Sequence, residues 1–191
     1  FVCETYSASP SRVSHADSDK FYNSLMAVLE ETIDGTYADL DFTRIYGSGQ
    51  SAGSMATQGF VRTNPEFYAA AASTSGLAVP DGTSQLPEGA GGAMPDFVIT
   101  GQSDLDNLMP DLWGSEMANE WITYLFDVNN MPDAQIGTAD DEHEFINDRT
   151  KVYTWENSDG VPMVKYGYTL LRAHNCSPYE MPILWDFMEH F

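Results

Sequence analysis

The chain has 191 residues, 42% hydrophobic and 13% aromatic, which suits one globular domain with a sizeable core. Its 8 Lys and Arg stand against 29 Asp and Glu, for a formal charge of −21. That balance leaves no basic footprint for a nucleic-acid partner and disfavours adsorption to anionic membranes. No apolar run reaches the ~18–20 residues that span a bilayer.

Phe1-Val2-Cys3-Glu4-Thr5-Tyr6 reads as the end of a strand already in progress, so upstream sequence is expected. A Ser-rich loop leads to a helix from Asp17 or Asp19 to about Asp34, where Phe21, Leu25, Val28, Leu29 and Ile33 make one apolar stripe. Residues 43–47 read as a strand, 49–53 as a tight turn and 55–61 as a helix. After Asn64-Pro65, the small-residue run 67–76 reads as a buried strand closing on a loop. Residues 80–95 are a Pro- and Gly-rich loop, and 96–101 are a clear strand.

The spacing predicts a helix over 115–129, with Met117, Trp121, Tyr124, Leu125 and Val128 inward. Residues 130–148 read as acidic and irregular. Two strands, 151–155 and 161–171, are joined by a hairpin turn at Asn157-Ser158-Asp159-Gly160. Residues 172–176 are then a loop, and a last helix from about Tyr179 to Phe191 packs Met181, Leu184, Trp185 and Met188. Strands alternating with helices predict a mostly parallel sheet flanked by crossover helices, in a single domain.

Gly49-Gln50-Ser51-Ala52-Gly53 has the form G-x-S-x-G, in the strand–turn–helix setting that holds a serine hydroxyl exposed at a sheet edge. Three fixed positions match by accident in roughly one chain of this size in fifteen, so the pentapeptide alone is weak. A serine hydroxyl becomes a nucleophile only with a base to take its proton and an acid to orient that base.

Of the four histidines, His190 sits beside the chain end, His143 lies within a run of carboxylates, and His15 is in a loop after the first strand. His174 alone follows a predicted sheet strand and precedes a packing helix, which puts it on the same carboxyl edge as Ser51. For the acid, Asp104 is three residues past Gly101 at a strand end, with Asp106 and Asp111 as alternatives. The resulting order along the chain is Ser, Asp, His. No motif points to a metal or an organic cofactor, and Cys3 and Cys176 lack metal-ligand spacing.

With those residues in place, the chain resembles an α/β-hydrolase, and within that superfamily the secreted esterases grouped with polyhydroxybutyrate depolymerases and feruloyl esterases. The likeness rests on Asp41–Tyr46 leading into Gly49–Ala56, on Pro65–Ala70 through Ser75-Gly76, on Gly101–Asp104, and on Ala173-His174 with Leu184–Phe187. It implies Ser51 as nucleophile, Asp104 as acid, His174 as base and the Ala52 N–H as one oxyanion donor. It also implies a small-molecule or polymeric ester as substrate, no cofactor, and an extracellular setting.

The sequence departs from that pattern in three places. The first strand seen corresponds to the fourth of the usual eight, so the first strands are missing, and a further N-terminal segment of the same fold is an expected partner. No His-Gly motif supplies a second oxyanion donor, a loss that typically costs ~10²–10³ in turnover. His174-Asn175-Cys176 also differs from the Gly-His-x-Trp-Pro pattern of depolymerase-like members, which favours smaller esters. The resemblance therefore implies a serine carboxylic-ester hydrolase for hydroxycinnamoyl or acetyl esters of plant polysaccharides. Its alternatives are a polyester depolymerase, a peptidase on the same fold, and a non-catalytic binding domain. In the usual strand order, Cys3 and Cys176 stand about five strands apart, ~24 Å, and form no disulfide.

Overall fold

The structure is a computed structural model that describes residues 41, 43–63, 65–77, 93–104, 116–137 and 143–191, with 23, 24, 27, 28 and 30–32. The expected strand at 1–6, most of the loop at 80–95, and Cys3, His15, Asp106 and Asp111 lie outside these residues. Among the described residues there are six strands: β1 (Tyr46–Gln50), β2 (Ala70–Thr74), β3 (Asp96–Ser103), β4 (His143–Ile146), β5 (Thr150–Glu156) and β6 (Pro162–Ala173). They are accompanied by α1 (Ala52–Thr63), α2 (Glu116–Val128) and α3 (Glu180–Met188).

The sheet order is β1-β2-β3-β6-β5-β4. The first four strands are parallel, and β5 and β4 are added as antiparallel hairpins. Period-2 alternation sorts the side chains onto two faces. Ala71 and Val98 face a cluster with Val61, Trp121, Ile122 and Leu125, under α1 and α2. Ala70, Ala72, Phe97 and Ile99 face Leu184, Phe187 and Met188 of α3. A strand covered on both faces has no polar side, which is why the Ala-rich β2 is buried at every position. Burying a large apolar side chain contributes on the order of 1.5–3 kcal/mol, so these two clusters hold the layers together.

Four expectations are corrected. Residues 143–146, read as irregular, form the edge strand β4 paired with Thr150–Tyr153. Asn147 and Asp148 both have positive φ, 56° and 55°, as in the mirror-image turns whose twist suits a hairpin. Strand β6 runs on through Arg172 and Ala173, where the sequence predicts a loop. Helix α3 buries Glu180, Leu184, Phe187 and Met188, whereas Met181 and Trp185 are 43% and 49% exposed. Its buried face follows i, i+4, i+7, i+8 from Glu180, and a buried carboxylate is not part of an apolar count. Val28 is exposed rather than part of an inward stripe.

Candidate active site

The parallel strands bring the carboxyl ends of β1, β2, β3 and β6 to one edge of the sheet, and the predicted residues meet there. Ser51 sits between β1 and α1 with φ +57°, a left-handed conformation that costs a non-glycine residue roughly 1–2 kcal/mol. The backbone around it holds that conformation in place. Ser51 N–H donates to the Thr74 carbonyl at 3.0 Å, and the Ser51 carbonyl accepts from Met55 N–H at 3.1 Å. A Cβ on Gly49 would lie 2.3 Å from the Gly53 backbone, so the turn closes this tightly only with glycine there. The Met55 bond is the first of α1, which leaves the Ala52 N–H at the helix start without an intrahelical acceptor.

Ser51 Oγ is 2.6 Å from His174 Nε2, and His174 Nδ1 is 2.7 Å from Asp104 Oδ1. A carboxylate only accepts, so the bond to Asp104 fixes the proton on Nδ1 and leaves Nε2 as the acceptor facing the serine. Asp104 is fully buried and His174 is 25% exposed. The structure thus joins Ser51, His174 and Asp104 in one hydrogen-bonded line across three sheet-end segments. His190 is exposed beyond α3, and His143 belongs to the edge strand β4.

No protein-family model and no curated protein matches the chain. Solved structures do. A point variant of SOBER1 from Arabidopsis thaliana superposes with a TM-score of 0.61 at 14% identity, over 93% of this chain and 66% of that one. Acetyl xylan esterase from Aspergillus awamori superposes with a TM-score of 0.59 at 15% identity, over 89% of this chain and 67% of the enzyme. SOBER1 itself gives 0.59 at 13% identity, over 93% of this chain and 66% of its own. The fold is that of the α/β-hydrolases. The chain spans about two thirds of the length of these structures.

Within this fold His174 is reached through an irregular strand end. Gly101 pairs with Thr169 but Ser103 pairs with Ala173, so between these pairs one residue of β3, Gln102, opposes three of β6, Leu170 to Arg172. Leu171 takes up the excess with φ +56°, and its N–H donates to Gln102 Oε1 at 2.9 Å. A Cβ on Gly101 would come within 2.5 Å of the Arg172 carbonyl, so glycine is what lets the bulged strand lie so close. The displaced strand end turns Arg172 inward and carries His174 to Ser51.

Sequence reasoning missed this support. The signal for it was an arginine two residues before His174, in a chain with few cations, and a glutamate opening the last helix. Arg172 Nε is 3.0 Å from Glu180 Oε1, both buried, in an ion pair without hydrogen-bond alignment. Burial pulls the Arg172 guanidinium below its usual pKa, while Glu180 and then Asp104 act against that. The Glu180 carboxylate also accepts from Thr169 Oγ1 at 3.2 Å and from Ser177 N–H at 3.3 Å.

A third buried acid, Asp96, lies at the other end of β3. Burial raises the Asp96 carboxyl well above its usual pKa, opposed by a bond from Gln58 Nε2 at 3.3 Å and one from the Phe97 backbone. Gln58 in turn accepts from Trp121 Nε1 at 2.7 Å, tying α1 to α2.

A cleft of about 580 Å³ flanks the loop of His174 between Leu171, Cys176, Tyr179 and Ile183, but neither Ser51 nor His174 lines it. Cys176 there is a free, exposed thiol. Among the described residues no group of three or more His, Cys, Asp or Glu is placed to hold a metal, and no helix is long and apolar enough to cross a membrane.

Proposed function

We propose that this chain carries the catalytic machinery of a serine carboxylic-ester hydrolase working through an acyl-enzyme. The observation that carries the reading is the line Ser51 Oγ–His174 Nε2–His174 Nδ1–Asp104 Oδ1, at 2.6 and 2.7 Å. Ser51 Oγ attacks the ester carbonyl and its proton passes to His174 Nε2. Asp104 keeps the second proton on Nδ1 and stabilises the imidazolium that forms. The Ala52 N–H, at the positive end of α1, donates to the oxyanion. The imidazolium then gives its proton to the leaving alcohol, and water repeats the sequence to release the acid.

Acetyl esters on plant polysaccharide are the first substrates in this reading, since one structural neighbour is described as an acetyl xylan esterase. Hydroxycinnamoyl esters come second. A fluorophosphonate probe tests the reaction class. It should label the wild-type chain and leave Ser51→Ala unlabelled; a folded wild-type chain that takes no label contradicts the proposal. Turnover of acetylated xylan, methyl ferulate and a short polyester in parallel then ranks the acyl groups.

A further inference from the structure

Arg172 is one of eight Lys and Arg in the chain, yet its guanidinium is buried at the sheet edge that carries the site. Its Nη1 donates to Ser75 Oγ at 2.6 Å and to the Asn175 carbonyl, and its Nη2 donates to the Ile99 carbonyl at 3.0 Å. Each partner belongs to a segment that bears a site residue or hydrogen-bonds to one. Ser75 follows Thr74, whose carbonyl takes the Ser51 N–H. Ile99 lies on β3, five residues before Asp104. Asn175 follows His174, and Ser75 Oγ donates to that same Asn175 carbonyl at 2.9 Å.

The segment bearing the base is itself a tight turn. Asn175 N–H donates to the Ala173 carbonyl at 2.8 Å, closing three residues with His174 in the middle. Fixing the Asn175 carbonyl therefore fixes where the imidazole starts from. A planar fork can reach acceptors on three segments at once, whereas a lysine ammonium is a single point on a flexible stem. An ion pair that merely docked α3 would need Glu180 alone.

We infer that Arg172, anchored by Glu180, is the positioning residue that sets His174 between Ser51 and Asp104. The inference rests on the catalytic reading of those three residues.

The test compares wild type, Arg172→Lys and Ser51→Ala in the 191-residue chain, with p-nitrophenyl acetate as substrate. Near-UV circular dichroism follows folding, and the low-field proton resonance of His174 Nδ1–H follows the bond to Asp104. Arg172→Lys should lower kcat by about 10²-fold, the order that a misplacement of about 1 Å costs, with KM within about twofold. Its low-field resonance should weaken while the circular dichroism holds, a combination that loss of stability alone does not produce. A folded Arg172→Lys with wild-type kcat and an unchanged resonance, beside an inactive Ser51→Ala, overturns the role of Arg172 and leaves the esterase reading standing. A fully active Ser51→Ala overturns both.

If Arg172→Lys does not fold, Ser75→Ala decides. A fall in kcat of about fivefold at constant KM, the scale of one neutral hydrogen bond, supports the inference. A wild-type kcat in folded Ser75→Ala overturns it.

Discussion

Gly49 and Gly53 flank Ser51 symmetrically in sequence but not in space. A Cβ on Gly49 would lie 2.3 Å from the Gly53 carbonyl carbon and oxygen, whereas a Cβ on Gly53 meets nothing within 4 Å. The first glycine is a steric requirement of the turn and the second is not. Gly49→Ala should cost about 1–3 kcal/mol in overpacking and, by displacing Ser51, about 10²-fold in kcat. Gly53→Ala, at the start of α1, should keep kcat within about twofold and leave stability unchanged or raised by up to about 1 kcal/mol. Parallel kinetics and urea melts check both, and equal losses in the two variants contradict the asymmetry.

The left-handed backbone at Ser51 predicts a trade between stability and activity. Ser51→Gly removes the Cβ that makes φ +57° costly, so it should be about 1 kcal/mol more stable than Ser51→Ala. Both variants should be inactive on esters. Denaturant midpoints for the pair measure the difference, and a less stable Ser51→Gly speaks against strain at the Ser51 turn.

How much of this was visible beforehand differs between elements. The turn at Ser51 was legible because Gly49, Ser51 and the flanking strand and helix are neighbours in the chain, so local backbone rules apply. Asp104 and His174 were legible because each closely follows a strand whose apolar run announces it, and parallel strands share one carboxyl edge. The extra residues in β6 were not legible, since a bulge is defined by its register against a distant partner, here Gly101 and Ser103. Glu180 escaped for a related reason. Its burial depends on Arg172, eight residues earlier, turning inward at that bulge. Strand β4 was hidden by acidic composition, although Asn147-Asp148 carried a usable turn signal.

The raised Asp96 carboxyl makes stability depend on pH in a defined direction. Burial makes the native state hold the Asp96 proton to higher pH than the unfolded chain, which ionises it in the ordinary carboxylate range. Native stability from this group is therefore full below that range and is lost as pH rises toward the raised native value. Asp96→Asn keeps a neutral group of similar shape and removes the effect. Urea melts from about pH 4 to 8 should show the variant gaining on wild type as pH rises, with little difference at the acid end. A constant difference across the range contradicts a protonated Asp96.

The buried Arg172–Glu180 pair predicts a large cost for removing one partner. Glu180→Ala leaves the guanidinium buried without its counter-charge, which typically costs about 3–5 kcal/mol. Loss of the Thr169 and Ser177 bonds acts in the same direction. A midpoint shift by thermal or denaturant melting measures it, and a change under about 1 kcal/mol shows that the pair is dispensable for folding.

In the proposed reaction Ser51 becomes acylated with His174 as base. Acid-quenching the chain during p-nitrophenyl acetate turnover, followed by peptide mass spectrometry, tests it most directly. One acetyl group is expected on the peptide bearing Ser51, absent in Ser51→Ala and strongly reduced in His174→Ala. Acetyl release with no adduct on Ser51, at a rate that Ser51→Ala leaves unchanged, would contradict it.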